Sequence, residues 1–212
     1  MQVQANVPAA KYSPYIKRVA IFGSADIKPD SELYKDAFEA AKLLAQEGKL
    51  IVDGGGPGVM QAATLGAKSV GGQTLAVTFN PVDATYYEGR FQGNVVDKEI
   101  KTKNYIERMF TLMDNADAFV IFRGGTGTLS EWATTWLLAH LYYGHHKPFV
   151  LYGGWWQDVV DVITKHFLIE GPEMKVFKIA NTAQEMLYIF DEFEEEMKQR
   201  TTQYPPFKTR QL

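Results

Sequence analysis

Short, nearly all apolar runs alternate along this chain with segments whose apolar residues recur at helical spacing. The runs are Arg18–Ser24, Leu50–Asp53, Thr74–Phe79, residues 118–122, Pro148–Tyr152 and Val176–Ile179. Strands that are apolar on both sides belong to a parallel sheet covered on both faces. Between them the spacing predicts helices over 30–48 (Leu33, Ala37, Ala40, Leu43 and Leu44, with Gly48 as C-cap), 59–70, 103–115, 128–143, 155–168 and 183–200. The pattern predicts an α/β chain with a doubly wound, Rossmann-like parallel sheet of about six or seven strands and helices on both faces. Ligands of such sheets bind at the carboxyl ends of the strands. Residues 80–101 are polar, turn-rich and too long for an ordinary connection. Residues 1–16 read as an arm, 17–200 as one domain, and 201–212, with Pro205-Pro206, as a tail.

Composition narrows the partners. With 46% of 212 residues apolar, the chain can bury a sizeable core. A net charge of −3 gives no basic excess to attract nucleic acid, so any phosphate site has to be local. The absence of cysteine excludes disulfides, zinc–thiolate sites and thiol catalysis, and it fits a cytoplasmic protein. No stretch approaches the ~18 uninterrupted apolar residues of a membrane span, so no membrane partner is expected.

The chemistry concentrates at residues 124–131, Gly-Gly-Thr-Gly-Thr-Leu-Ser-Glu, directly after the run Ala-Phe-Val-Ile-Phe at 118–122. A strand here enters a glycine turn and then a helix. Gly124, Gly125, Thr126, Gly127 and Thr128 offer backbone amides, two hydroxyls and a helix N-terminus to an anion such as phosphate. Glu131 follows one turn into the helix. A carboxylate does not grip phosphate, so Glu131 is a candidate acid or base acting on what the phosphate carries.

Two more glycine turns follow strands. Gly54-Gly55-Gly56-Pro57-Gly58 suits a tight structural turn and close ligand approach equally, which makes Gly55, Gly56, Gly58 and the following Met60 binding candidates. At the end of the first strand, Ser24 is either a ligand contact or a turn hydroxyl. Neither turn has the Gly-x-Gly-x-x-Gly spacing of a dinucleotide site, and no Gly-Lys-[Ser/Thr] of a Walker loop occurs. His145-His146 reads as a turn rather than a metal pair, because adjacent side chains point apart. Trp132, Trp136, Leu137, His140 and Tyr143 fall along one side of a helix, as core or as a subunit seam. The acidic run 191–196 reads as a solvated helix face.

These segments resemble a known family. Residues 54–60 are similar to its Gly-Gly-Gly-x-x-Gly-[Leu/Val]-Met segment, one residue shorter. Residues 124–131 match Pro-Gly-Gly-x-Gly-Thr-x-x-Glu, with Arg123 in the proline position. Arg108 aligns with the arginine of an Arg-Lys segment, and Met109 takes the lysine position. The family is the LOG (Lonely guy) group, also labelled lysine decarboxylase-like, and the resemblance covers roughly residues 18–190. It implies a phosphoribohydrolase that cleaves a nucleoside 5′-monophosphate, such as a cytokinin nucleotide or AMP, to free base and ribose 5-phosphate. It also implies catalytic roles for Glu131 and Arg108, a homodimer or higher homo-oligomer, and no cofactor or metal. Without the alignment, Arg108 reads first as a surface residue pairing with Glu107 or Asp114 and only second as catalytic. Arg123 is expected either to contact the phosphate or to pair with Glu131. The alternative function is a non-catalytic carrier of a nucleotide or of molybdenum cofactor.

Overall fold

The computed structural model describes residues 15–81, 90–169 and 171–203. Most of the expected arm and tail, and part of the long connection, lie outside these residues. Strand and helix alternate as β1 (Arg18–Phe22), α1 (Glu32–Gln46), β2 (Leu50–Asp53), α2 (Val59–Lys68), β3 (Thr74–Phe79), β4 (Lys98–Thr102), α3 (Tyr105–Asp114), β5 (Ala118–Ile121), α4 (Thr126–Leu141), β6 (Phe149–Tyr152), α5 (Trp156–His166), a 3₁₀ turn (Gly171–Lys175), β7 (Phe177–Ala180) and α6 (Ala183–Gln203).

The seven strands pair in the order β4-β3-β2-β1-β5-β6-β7, and every pair is parallel. The chain walks outward from β1 to β4 and then returns to lay β5 on the other side of β1. The order therefore reverses between β1 and β5, where the turns at 23–26 and 123–125 stand side by side.

Helices α1, α2 and α6 cover one face through Ala37, Ala40, Leu44, Ala63, Met186 and Phe190. Helices α3, α4 and α5 cover the other through Met109, Leu112, Trp132, Trp136, Trp156 and Val160. Each large side chain so buried contributes about 1.5–3 kcal/mol by leaving water. Ile16, just before β1, is also buried, and its N–H donates to Glu194 Oε1 of α6 at 2.9 Å.

Strand β4 has no counterpart among the apolar runs. It reads Lys-Glu-Ile-Lys-Thr and lies at the sheet edge, with Lys98, Glu99 and Lys101 exposed. Charged side chains, lysine above all, protect an edge from pairing with another chain, and that function removes the apolar signal. Among the described residues no helix is long and apolar enough to cross a membrane.

Candidate functional site

Two helices begin at glycine turns on the carboxyl edge of the sheet, and they differ in what meets their first amides. At α2, Gly58 takes the left-handed conformation (φ +64°), and Val59 N–H donates to Ser24 O at 2.9 Å. A Cβ on Gly58 would strike the Ser24 and Ala25 backbone. The first amide of this helix is taken by the turn after β1. At α4, Gly125 is the N-cap and no side chain caps the helix. The bond from Leu129 N–H to Gly125 O (3.0 Å) is its first of the i→i−4 type, so the amides of Thr126, Gly127 and Thr128 precede the ladder. Residues 124–127 are exposed. The first amide of α2 is thus taken by the turn after β1, whereas the turn at the start of α4 is exposed and uncapped.

The turn into α4 is tightly fitted. A Cβ on Gly124 would strike the Thr128 hydroxyl and Ser24 N. Ser24 is held at three atoms: its N–H donates to Arg123 O (3.0 Å), its carbonyl accepts from Val59, and its Oγ accepts from Asp26 N–H (3.1 Å).

Helix α3 delivers Arg108 to the same place. Asn104 caps that helix by accepting from Glu107 N–H at 2.9 Å, and Glu107 Oε2 returns a bond to Lys103 N–H at 2.9 Å. This reciprocal capping fixes the first turn. Arg108 is buried, donates from Nε to Val77 O at 3.0 Å, and brings Nη2 to 3.9 Å from Met60 Sδ. Its guanidinium lies over Gly54, in the space a Cβ there would fill. Nη1 stands 3.8 Å from Glu131 Oε1. Glu131 is itself 7% exposed. Burial pushes its carboxyl up to about 7, while the nearby Arg108 charge pulls the other way. Of the two unaided readings of Arg108, pairing at the surface does not hold: its ion-pair partner is Glu131.

Tyr105 braces the assembly. Its hydroxyl lies 2.7 Å from Ser130 Oγ and 3.4 Å from Gly127 O, so α3 is tied to the first turn of α4. Ser130 Oγ also donates to Gly127 O at 2.8 Å. Beneath Gly54, the fully buried Asp53 accepts from Gly55 N–H at 2.6 Å and from Thr64 Oγ1 at 2.7 Å. Burial pushes this carboxyl up to about 6. Asn94 Nδ2 donates to Gly56 O at 2.9 Å, which closes the turn from its far side.

These groups surround a cavity of about 540 Å³. Of the residues singled out in the sequence, Ser24, Met60, Arg108, Gly125, Thr126, Gly127, Thr128 and Glu131 line it. Gly124 stands just behind, against Ser24 and Thr128. Gly55, Gly56 and Gly58 are buried within the 54–58 turn and do not reach the cavity wall; in that turn it is Gly54 that does. Arg123 is exposed, stacks 5.7 Å over the Trp155 ring, and forms no ion pair with Glu131. Sequence reasoning missed Gly54, Asp26, Ser130 and Tyr105. Tyr105 had a signal, because it precedes Arg108 by three residues and so shares its helix face.

Elsewhere, His146 is buried in the turn before β6, accepts at Nδ1 from Gly144 N–H (3.3 Å), and lies against the Arg200 guanidinium. Burial and that charge push it down to about 3.

With the geometry in place, comparison with known proteins identifies the lineage. The sequence profile of the SLOG cluster4 family matches residues 16–160. The chain belongs to the SLOG cluster4 family. This SLOG cluster4 chain is 33% identical over 126 residues to a cytokinin riboside 5′-monophosphate phosphoribohydrolase of Mycobacterium tuberculosis, covering 59% of the chain and 65% of that enzyme. It is 30% identical over 116 residues to an uncharacterized protein of Archaeoglobus fulgidus, covering 55% of the chain and 71% of that protein. Among solved structures it superposes on TM1055, a structural genomics target, with a TM-score of 0.65 at 26% identity, over 84% of the chain and 99% of the other. It also superposes on the molybdenum cofactor binding protein of Rippkaea orientalis with a TM-score of 0.62 at 23% identity, over 85% and 99%. At that identity the second likeness is one of fold alone.

Proposed function

We propose that the cavity hydrolyses the N-glycosidic bond of a nucleoside 5′-monophosphate, releasing the base and ribose 5-phosphate. One observation carries the reading: a buried Glu131–Arg108 pair opens onto the same cavity as the uncapped N-terminus of α4. The phosphate sits on the amides of Thr126, Gly127 and Thr128 and on the two threonine hydroxyls. Binding at this remote group orients the ribose over Glu131. As the bond to the base breaks, positive charge grows on the ribosyl ring. The ionised Glu131 stabilises that charge and orients a water molecule. The water oxygen bonds to C1′, one of its protons is released, and the departing base nitrogen is protonated. Arg108 holds Glu131 in place and keeps a useful fraction of it ionised near neutral pH. The 33% identity to a phosphoribohydrolase supports the same reading.

Incubation with a panel of nucleoside monophosphates, read by chromatography for free base, tests it. AMP is expected to release adenine. Adenosine is expected to react at least about a hundredfold more slowly, since each charge-assisted bond to phosphate contributes about 1.5–3 kcal/mol. If a bound nucleotide were recovered intact, the protein would be a carrier instead. Equal rates for AMP and adenosine would make the 124–128 turn a structural feature.

We further propose a homodimer formed through the outer face of α4. Trp132 and Trp136 point into the core, so the seam is not the face they share. Leu129, Leu137 and Leu141 are 53%, 55% and 61% exposed and, with the exposed Ala133, form a stripe at four-residue spacing on the solvent side of the helix; Leu137, which the sequence placed on the side of the two tryptophans, belongs to it. A helix that is apolar on all sides is ordinarily buried on all sides. Light scattering at micromolar concentration is expected to give twice the chain mass, and Leu137→Lys to shift it to one; a monomeric wild type would refute the dimer.

A further inference from the structure

Among the described residues the cavity wall carries one basic side chain, Arg108, against two acidic ones, Asp26 and Glu131. Arg108 is committed to Val77 O and Glu131. Arg123 lies outside the wall, over Trp155. The anion site at the start of α4 is therefore built from neutral donors. Asp26 is exposed, and its carboxylate meets no donor among the described residues. Its place is nonetheless fixed: its N–H is bonded to Ser24 Oγ, and Ser24 is pinned between the starts of α2 and α4. Asp26 lines the same cavity as Gly125, Thr126, Gly127 and Thr128.

A phosphate monoester brings up to two negative charges, which the helix amides and threonine hydroxyls can meet. A second phosphate would bring more charge to a wall whose exposed charge is Asp26, with no uncommitted cation among the described residues that line it. We propose that Asp26 is a specificity-determining residue that limits the site to a single, terminal phosphate. The inference rests on the proposed nucleotide reading for the ligand class, but not on turnover.

The test is calorimetric binding of AMP, ADP and 2′-deoxy-AMP to the wild type and to Asp26→Asn, in EDTA and again with magnesium. Base release is followed separately by chromatography. Wild type is expected to prefer AMP over ADP by about tenfold or more, and Asp26→Asn to shrink that ratio to within about threefold, as expected for losing one like charge near the ligand. An unchanged ratio in the variant, or no preference in the wild type, would overturn the proposal. So would a variant that loses affinity for AMP but not for 2′-deoxy-AMP, because Asp26 would then hold the ribose. A magnesium-dependent gain for ADP that vanishes in the variant would make Asp26 a metal ligand and also overturn it. If the preference is found but adenine is never released, the hydrolase reading fails and the role of Asp26 stands.

Discussion

Glu131→Gln is expected to slow adenine release from AMP by about 10²–10³-fold while changing AMP affinity by less than about tenfold. Gln keeps the shape of the side chain and its place on α4, but it cannot carry the charge that the developing oxocarbenium needs. The phosphate grip, made by residues 126–128, is untouched. A variant with near wild-type turnover would remove Glu131 from the chemistry. The pH profile of the wild type provides a second readout. Because burial holds the carboxyl at about 7, kcat/KM should climb through that pH and level off above it. Stability has the opposite sign. A folded-state pKa raised above its unfolded value of 4.5 favours the fold fully at low pH, and that contribution is lost as pH rises through about 7. The melting temperature of the wild type should therefore fall relative to that of Glu131→Gln between pH 5 and 8. Parallel melting curves would contradict the buried position.

The second large effect is expected at a residue with no side chain. Gly54 is outside the left-handed region, so its backbone conformation accepts alanine. The methyl group would nevertheless occupy the position of the Arg108 guanidinium. Arg108 would have to swing away from Glu131 or lift off Val77 O. A displacement of about 1 Å in such a group can cost ~10²-fold in rate, and Gly54→Ala is expected to lose about that much kcat/KM. Its far-ultraviolet circular dichroism should match the wild type. Unchanged kinetics would mean that Arg108 tolerates relocation and that its fit over Gly54 is incidental.

The sequence exposes the fold wherever burial and periodicity coincide. Six strands are wholly or largely buried and announce themselves as apolar runs; β4 is half-solvated and charged by necessity, so no pattern marks it. The site is legible in the same uneven way. Residues 124–131 form one contiguous strand–turn–helix, and their geometry follows from local rules. The turn at 54–58 is also glycine-rich, yet the Ser24 carbonyl takes the first amide of its helix, a contact between residues over thirty positions apart that spacing cannot reveal. Arg123 illustrates the converse. Proximity in sequence to the anion site suggests a phosphate contact or a partner for Glu131, but the chain leaves β5 with that side chain turned toward Trp155. Gly54 outranks its neighbours at the cavity only because an arginine from α3 needs the room.

The sheet divides labour between its two coverings. Arg108, Tyr105 and Glu131 all ride on α3 and α4, the layer that also packs Trp132 and Trp156. Helices α1 and α6 on the opposite layer contribute no residue to the cavity, and α2 contributes Met60. Helices α1 and α6 therefore serve the cavity only through packing, while α3 and α4 must also hold their side chains in register with one another. On the proposed reading, scaffold and machinery lie largely on opposite faces of one sheet.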